Sequence, residues 1–287
     1  MTIYVVKLAC ELPEAARRSL TLWTCKEIAK TLVRDEVVDH ISGETVRPIL
    51  LSHKLKPWRV HHWLSADVAR DAAFAAKVDV LCELYTRPFG SHESLWSLDE
   101  MTSIQPRPRT AATRPAGPNN DPVRLEHEYA RAGALNLIAT FNVHTGKVID
   151  LCRRRKRQVE FIELLEEIDR QTPDSVTTIF IVCDNVRTHH GKQVQAWLAA
   201  HPRFRTAFTP VHCSWLNQVE QWFSIIQRKR LRAPNFGSLD LLEHAIHAFV
   251  AEWNACAHPF KWTRRSFDKI RAKIARVNAE RLVAAAA

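Results

Sequence analysis

The sequence has no C-x-x-C pair, no internal repeat and no apolar run approaching the roughly 18 residues that cross a bilayer. Its seven cysteines, at positions 10, 25, 82, 152, 183, 213 and 256, are odd in number and widely spaced. That pattern argues against a disulfide framework and a zinc ribbon, and it fits a reducing compartment. The opening residues Met1 to Lys7 lack a signal-peptide pattern, so a soluble, intracellular protein is expected, with no membrane partner. Acids are scarce beside bases: Asp+Glu number 31 against 41 Lys+Arg, a formal net charge of +10. The excess favours a polyanionic partner, although an ordinary basic protein can carry the same balance. With 287 residues, 46% of them hydrophobic, the chain can build one large domain or two smaller ones and is not globally disordered.

The stretch from Thr177 to Arg232 organises the rest. An apolar run, Ile179 to Cys183, reads as a strand buried on both faces and ends in Asp184-Asn185. A polar turn with Thr188-His189, a helix near 193–198 and a strand at 204–208 follow. The stretch closes with Ser214-Trp215-Leu216-Asn217-Gln218-Val219-Glu220, read as a long helix from Ser214 with Trp215, Val219, Trp222, Phe223 and Ile226 in one stripe. Upstream, residues 94–104 read as a strand with Trp96 and Leu98 on one face, which Asp99 ends or crosses. Residues 136–143 and 148–152 form a hairpin about a Gly146 turn. Arg153 to Arg157 is an unbroken basic run. A helix carrying Phe161, Leu164, Leu165 and Ile168 comes next.

Residues 1–65 read as short helices. One begins at Cys25 with Ile28, Ala29, Leu32 and Val33 on one face; another, capped by Ser42, carries Val46, Ile49 and Leu50. Helix, tight turn, helix and basic residues make the pattern of a helix-turn-helix, and a plain helical pair has the same pattern. Pro48 lies inside the second helix, where it removes a hydrogen bond at a cost of roughly 3 kcal/mol. The basic-aromatic segment 56–63 and an amphipathic helix over 66–88 follow, the latter with Val68, Ala72, Ala75, Val78, Val80, Leu81 and Leu84 at near-helical spacing. Residues 105–128, rich in proline and arginine, read as a long excursion between two strands. Leu241 to Trp253 reads as the last inward-facing helix.

Asp99, Asp184 and Glu220 are the candidate metal ligands. Glu220 falls about 110° from the centre of its helix's apolar stripe, so it can face a cleft, and Asn217 points to a similar side. Alternation sends Glu100 to the face opposite Asp99. Three acids without Cys or His suit Mg²⁺ or Mn²⁺, and a pair of such ions serves phosphodiester chemistry. Each acid taken alone is more often a cap or a surface charge.

The blocks Trp96-Ser97-Leu98-Asp99-Glu100, Ile181-Val182-Cys183-Asp184-Asn185 with Thr188-His189, and Phe208-Thr209-Pro210 running into Ser214 to Glu220 resemble the DDE transposases of the mariner-like superfamily, in their bacterial insertion-sequence branch. The resemblance extends to Pro259-Phe260-Lys261-Trp262. It implies an α/β, RNase H-like catalytic core, a mixed sheet flanked by helices, behind an all-α helix-turn-helix region. The divisions so implied are a DNA-binding region over 1–65, a linker helix over 66–92, the catalytic domain over 93–270 and a tail over 271–287. Carried over by position, Asp99, Asp184 and Glu220 are the catalytic and metal-binding triad, with two Mg²⁺ or Mn²⁺ ions. Asn185, His189 and Asn217 stand beside the site. The implied activity is cleavage of element ends in double-stranded DNA and joining to target DNA, as a homodimer on paired ends, in the bacterial cytoplasm at the nucleoid. Arg47, Lys56, Arg59, Arg153, Arg154, Arg155, Lys156, Arg228, Lys229 and Arg230 are the expected DNA contacts. The family usually carries two helix-turn-helix units; only the second is visible here, which leaves a shortened, DNA-binding remnant or regulator as one alternative and a divalent-metal nuclease as another.

Overall fold

The computed structural model describes residues 1–59, 71–119, 121–211 and 213–268, with 271, 272, 275, 276 and 279. Val60 to Trp63 of the basic-aromatic segment, Val68, and most of the tail lie outside the described residues. The chain divides into two compact units, Met1–Ser65 and Ala66–Ala287.

The first unit is helical: α1 (Thr2–Cys10), α2 (Cys25–Arg34) and α3 (Gly43–Ser52). Thr24 caps α2 through the amide of Glu27 at 3.2 Å, and Ser42 caps α3 through that of Thr45 at 3.1 Å. The two helices end alike. Glu36 and Lys54 take left-handed conformations, φ 56° and 58°, and Val37 and Leu55 donate back to the carbonyls of Leu32 and Leu50. That is a Schellman ending with the apolar residue after the turn folded onto the core. Two expectations need correction. The connection from Asp35 to Ser42 is longer than a tight turn, because the Schellman ending reverses the chain before Val37, Val38 and Ile41 pack. Val33 is 39% exposed, and Thr31 takes the inward position. α3 runs unbroken through Pro48. The bond that proline removes would have reached Glu44, an exposed residue of the first turn, while Val46 and Leu50 on the inner face are fully buried.

The second unit is a three-layer sandwich. After α4 (Ala72–Thr86) come β1 (Glu93–Ile104), β2 (Leu135–Asn142), β3 (Val148–Arg153), α5 (Gln158–Gln171), β4 (Thr178–Cys183), α6 (Lys192–Ala200), β5 (Phe204–Phe208), α7 (Val219–Ile226) and α8 (Leu239–Ala255). The sheet order is β3-β2-β1-β4-β5. β1-β2 and β2-β3 are antiparallel; β1-β4 and β4-β5 are parallel. This is the mixed, helix-flanked sheet of an RNase H-like core. Period-two alternation sorts the strands onto two faces. Trp96, Leu98, Ile138, Ile179 and Ile181 pack with Phe161, Leu164, Leu165 and Ile168 of α5. Leu137, Ala139, Phe141 and Cys152 pack with Val219, Trp222 and Phe223 of α7 and Leu242, Ile246 and Val250 of α8. α4 covers the remainder of that second face through Val78, Leu81 and Tyr85 against Leu95 and Val182.

The long helix expected from Ser214 is shorter. Ser214–Leu216 is a 3₁₀ turn, α7 starts at Val219, and Trp215 is 45% exposed. Gln227–Leu231 continues it as a π turn. In α4 the buried face includes Phe74, Cys82 and Tyr85, whereas Ala72, Ala75 and Val80 are exposed. The excursion between β1 and β2 carries only the isolated bridges Arg114–Arg124 and Gly117–Asp121 among its described residues.

The β2-β3 hairpin turns at Gly146, φ +75°, where an added Cβ would stand 2.2 Å from the backbone of His258. The Gly146 carbonyl also accepts from Trp253 Nε1 at 2.8 Å. Gly146→Ala is therefore expected to destabilise the chain by more than about 1 kcal/mol, read as a lowered denaturation midpoint at unchanged slope.

Candidate active site

The site begins with strand register. In the parallel β1-β4 pair Ser97 stands opposite Val182. Two residues further on, the same register sets Asp184 beside Asp99, on adjacent strands spaced about 4.8 Å apart. Asp99 is thus a residue of the middle of β1, not of its end, because the strand continues to Ile104. Ser97 shares the face of Asp99, and it receives the start of α7: the amide of Val219 donates to Ser97 Oγ at 2.9 Å. Ser97 Oγ in turn bonds Asn217 Oδ1. Asn217 Nδ2 donates to the Leu98 carbonyl at 2.7 Å and to Asp99 Oδ2 at 3.1 Å. Tyr85 of α4 donates to the Leu216 carbonyl at 3.0 Å and closes the group from behind. Fixing Val219 in this way fixes Glu220, half-buried in the first turn of α7 and within reach of the charges of the two aspartates.

The three acids feel one another's charge, although their ligand atoms do not all fall within 4.8 Å of one another. Burial raises the Asp99 carboxyl to about 7, opposed by the Glu100 amide and reinforced by the charges of Asp184 and Glu220. Burial and then the Asp184 charge also raise Glu220. Asp184 goes the other way. Burial would raise it, but His189, the Val186 amide and the nearby charge of Lys156 together hold it below the ordinary aspartate value. An all-oxygen cluster with one carboxyl held half-protonated near neutrality fits a divalent cation of the Mg²⁺ type.

His189 is completely buried. Nδ1 lies 3.0 Å from Asp184 Oδ1, Nε2 lies 3.0 Å from Glu100 Oε1, and the ring stacks on Phe161 at 4.3 Å. Burial disfavours its cation, yet the bonds to Asp184, Cys183 and Glu100 outweigh this and raise it well above the ordinary value. His189 is therefore an imidazolium clamped between two carboxylates from β1 and β4. Asn185 turns away and donates to the Thr209 carbonyl.

Among the expected DNA contacts, Arg154, Arg155 and Lys156 are exposed. Arg153 pairs with Glu163 at 2.8 Å, and Arg157 pairs with the buried Glu160, which also accepts from the Arg157 amide. Arg228, Lys229 and Arg230 lie on the π turn after α7, with Arg230 over the Phe236 ring at 4.8 Å. Arg47, Lys56 and Arg59 are exposed in the first unit, and Arg47 lies 5.8 Å over Trp58. Sequence reasoning missed Ser97 as an anchor, Glu100 as the partner of His189, and the charge of Lys156 that reaches Asp184. Alternation in Trp96-Ser97-Leu98-Asp99 was the available signal for Ser97; the other two depend on residues far apart in the chain.

A pH dependence follows for the metal-free chain. An aspartate at about 7 when folded and 3.8 when unfolded binds its proton more tightly in the folded state. Stability contributed by that proton is present below about pH 4 and is lost as pH rises through 7, with a ceiling of about 4 kcal/mol. In chelator, Asp99→Asn should melt higher than the parent at pH 8, by roughly 1–3 kcal/mol, and the gap should close near pH 4.

An insertion element IS630 uncharacterized 39 kDa protein from Shigella sonnei is 34% identical over 123 residues, covering 43% of this chain and 34% of that one; the match spans about a third of the relative's length. The Mos1 mariner paired end complex with Mn shares the fold with a TM-score of 0.50 at 13% identity, over 98% of this chain and 78% of that chain. A pre-cleavage Mos1 transpososome gives the same figures. A family profile described as DDE superfamily endonuclease matches residues 94–243, the segment from β1 into α8 that contains all three acids. The chain belongs to the DDE superfamily endonuclease family.

Proposed function

We propose that the chain is a DNA transposase: it cleaves the phosphodiesters at its element's ends and joins the freed 3′-hydroxyl to target duplex DNA, acting as a homodimer on paired ends in the bacterial cytoplasm. The observation that carries this reading is the convergence of Asp99, Asp184 and Glu220 on one face of the sheet, with Asp99 raised to about 7 by burial and by the other two charges. These three carboxylates are the ligands for two Mg²⁺ or Mn²⁺ ions. Such a pair, when bound, activates an attacking oxygen and stabilises the leaving one.

The chain's own residues divide the remaining work. Asn217 donates to one oxygen of Asp99 and the Glu100 amide to the other, which together fix the orientation of the carboxylate. His189 fixes Asp184 from behind, so its other oxygen faces the cleft. Glu220 is carried on α7, whose start is tied to Ser97. Arg154, Arg155 and Lys156, next to Asp184 by the charge that Lys156 exerts on it, hold backbone phosphates beside the carboxylates. Arg228, Lys229 and Arg230 extend that contact beyond Glu220. The helices of Met1–Ser65, with Arg47, Lys56 and Arg59, supply the sequence preference of a helix-turn-helix region, residues 66–92 link, and residues 93–270 carry out the chemistry.

On duplex DNA carrying the element's inverted-repeat ends with Mg²⁺, Asp184→Asn should lower cleavage by about a thousandfold or more, with affinity changed less than about threefold. Cleavage at near the parental rate would overturn the triad. His189→Gln should slow cleavage by about 10–100-fold at unchanged DNA affinity, as loss of a group that orients a ligand does. Replacing Arg154, Arg155 and Lys156 by alanine should flatten log K against log salt by about 2.7, since each lost phosphate contact removes about 0.9.

A further inference from the structure

On the same face as Asp99, at the far edge of the sheet, three donor side chains meet that the chemistry above leaves unused. Asp99 pairs with Ala139 and Ala139 with Asp150, so Asp150 lies two strands, about 10 Å, from the triad. Asp150 and Cys152 are two residues apart on β3 and share the face that α8 covers. α8 is fastened along this strand. Asn254 exchanges two 2.8 Å bonds with the backbone of Val148, and His247, seven residues earlier, places Nδ1 2.7 Å from Asp150 Oδ2. Glu243, one turn before that, lies 3.6 Å from His247 Nε2. Glu243 stands on the Nε2 side of the His247 ring, away from Asp150, and its charge raises both Cys152 and Asp150.

One ligand atom each from Asp150, Cys152 and His247 fall within 4.8 Å of one another, the only such trio of His, Cys, Asp and Glu among the described residues. In a tetrahedral zinc site, neighbouring donors stand about 3.3–3.6 Å apart, a contraction that rotamer adjustment supplies. The set of one thiol, one imidazole and one carboxylate suits a borderline-soft cation and differs from the all-oxygen triad. Cys152 and Asp150 form the floor, while His247 and Glu243, their side chains 45% and 36% exposed, leave an approach from solvent. A hydrogen bond between Asp150 and His247 occupies two of these side chains; it does not explain why Cys152 Sγ lies with them.

We propose that Asp150, Cys152 and His247 bind one Zn²⁺ ion, with the fourth position open to solvent, separate from the acids of β1, β4 and α7, that ties α8 to the edge strand. Binding displaces the Cys152 thiol proton to solvent and forms a zinc–thiolate bond. The test uses the purified full chain, stripped with a chelator and titrated with Co²⁺ as a coloured stand-in for zinc. A near-ultraviolet thiolate-to-cobalt band that saturates at one equivalent and is bleached by Zn²⁺ is expected, together with a higher melting temperature on Zn²⁺ addition. Cys152→Ser should lose the band, and His247→Gln should weaken binding by about tenfold or more. Asp184→Asn should keep the band, which separates this site from the triad. A band that survives Cys152→Ser, or no band at several equivalents, overturns the proposal. If Cys152→Ser does not fold, His247→Gln decides, and parental affinity in that variant overturns it.

Discussion

The site rests on one buried hydroxyl. Ser97 Oγ accepts from the amide at the start of α7 and meets Asn217, whose amide spans to Asp99. Ser97 and Asn217 are both fully buried, so each of these bonds is made where water cannot replace it. Leaving a buried donor or acceptor unpaired costs about 1–3 kcal/mol. The height and rotation of α7 over the sheet are thereby set by a polar contact that admits one arrangement, while the apolar packing of Val219, Trp222 and Phe223 would accept small slips. Glu220 inherits its position from that contact.

A second polar link holds the other strand. His189 joins Asp184 to Glu100, so the two faces of the sheet communicate through an imidazolium lying against Phe161. The two aspartates consequently sit in opposite electrostatic states. Asp184 has a cation behind it and stays ionised; Asp99 has an amide and two neighbouring charges and is held near 7. Adjacent strands thus present one fixed carboxylate and one whose proton is easily displaced by a positive ion.

Much of this was legible in the sequence because it follows from period. The apolar positions of α5 were read correctly from their spacing, and β4 was read from a continuous apolar run; all four named residues of α5 are buried. The sending of Glu100 to the face opposite Asp99 needed only strand alternation. What was misread depended on breaks in period. The stripe through Trp215 suggested one helix, yet the chain spends Ser214–Leu216 in a 3₁₀ turn so that Asn217 can reach β1. Pro48 looked disruptive on a rule about helix interiors, and the outcome was decided by where its missing bond fell. The grouping of Cys152 with His247 could not be seen, because it joins positions 95 residues apart through the packing of α8 on β3.

The placement of charge also separates what folds the chain from what the chain does. The ion pairs of Arg153 with Glu163 and Arg157 with Glu160 absorb the two ends of the basic run into the scaffold. Its middle, Arg154 to Lys156, stays exposed, and the charge of Lys156 reaches Asp184. The acids are arranged conversely: Asp99 is buried at 7% exposure without a cationic side chain bonded to it, an arrangement that burial and like charge both oppose. A fold seeking stability alone would place an apolar residue or an asparagine there. Local violations of this kind persist where a ligand supplies the missing charge, and in this sheet the violation coincides with the point where β1, β4 and α7 meet.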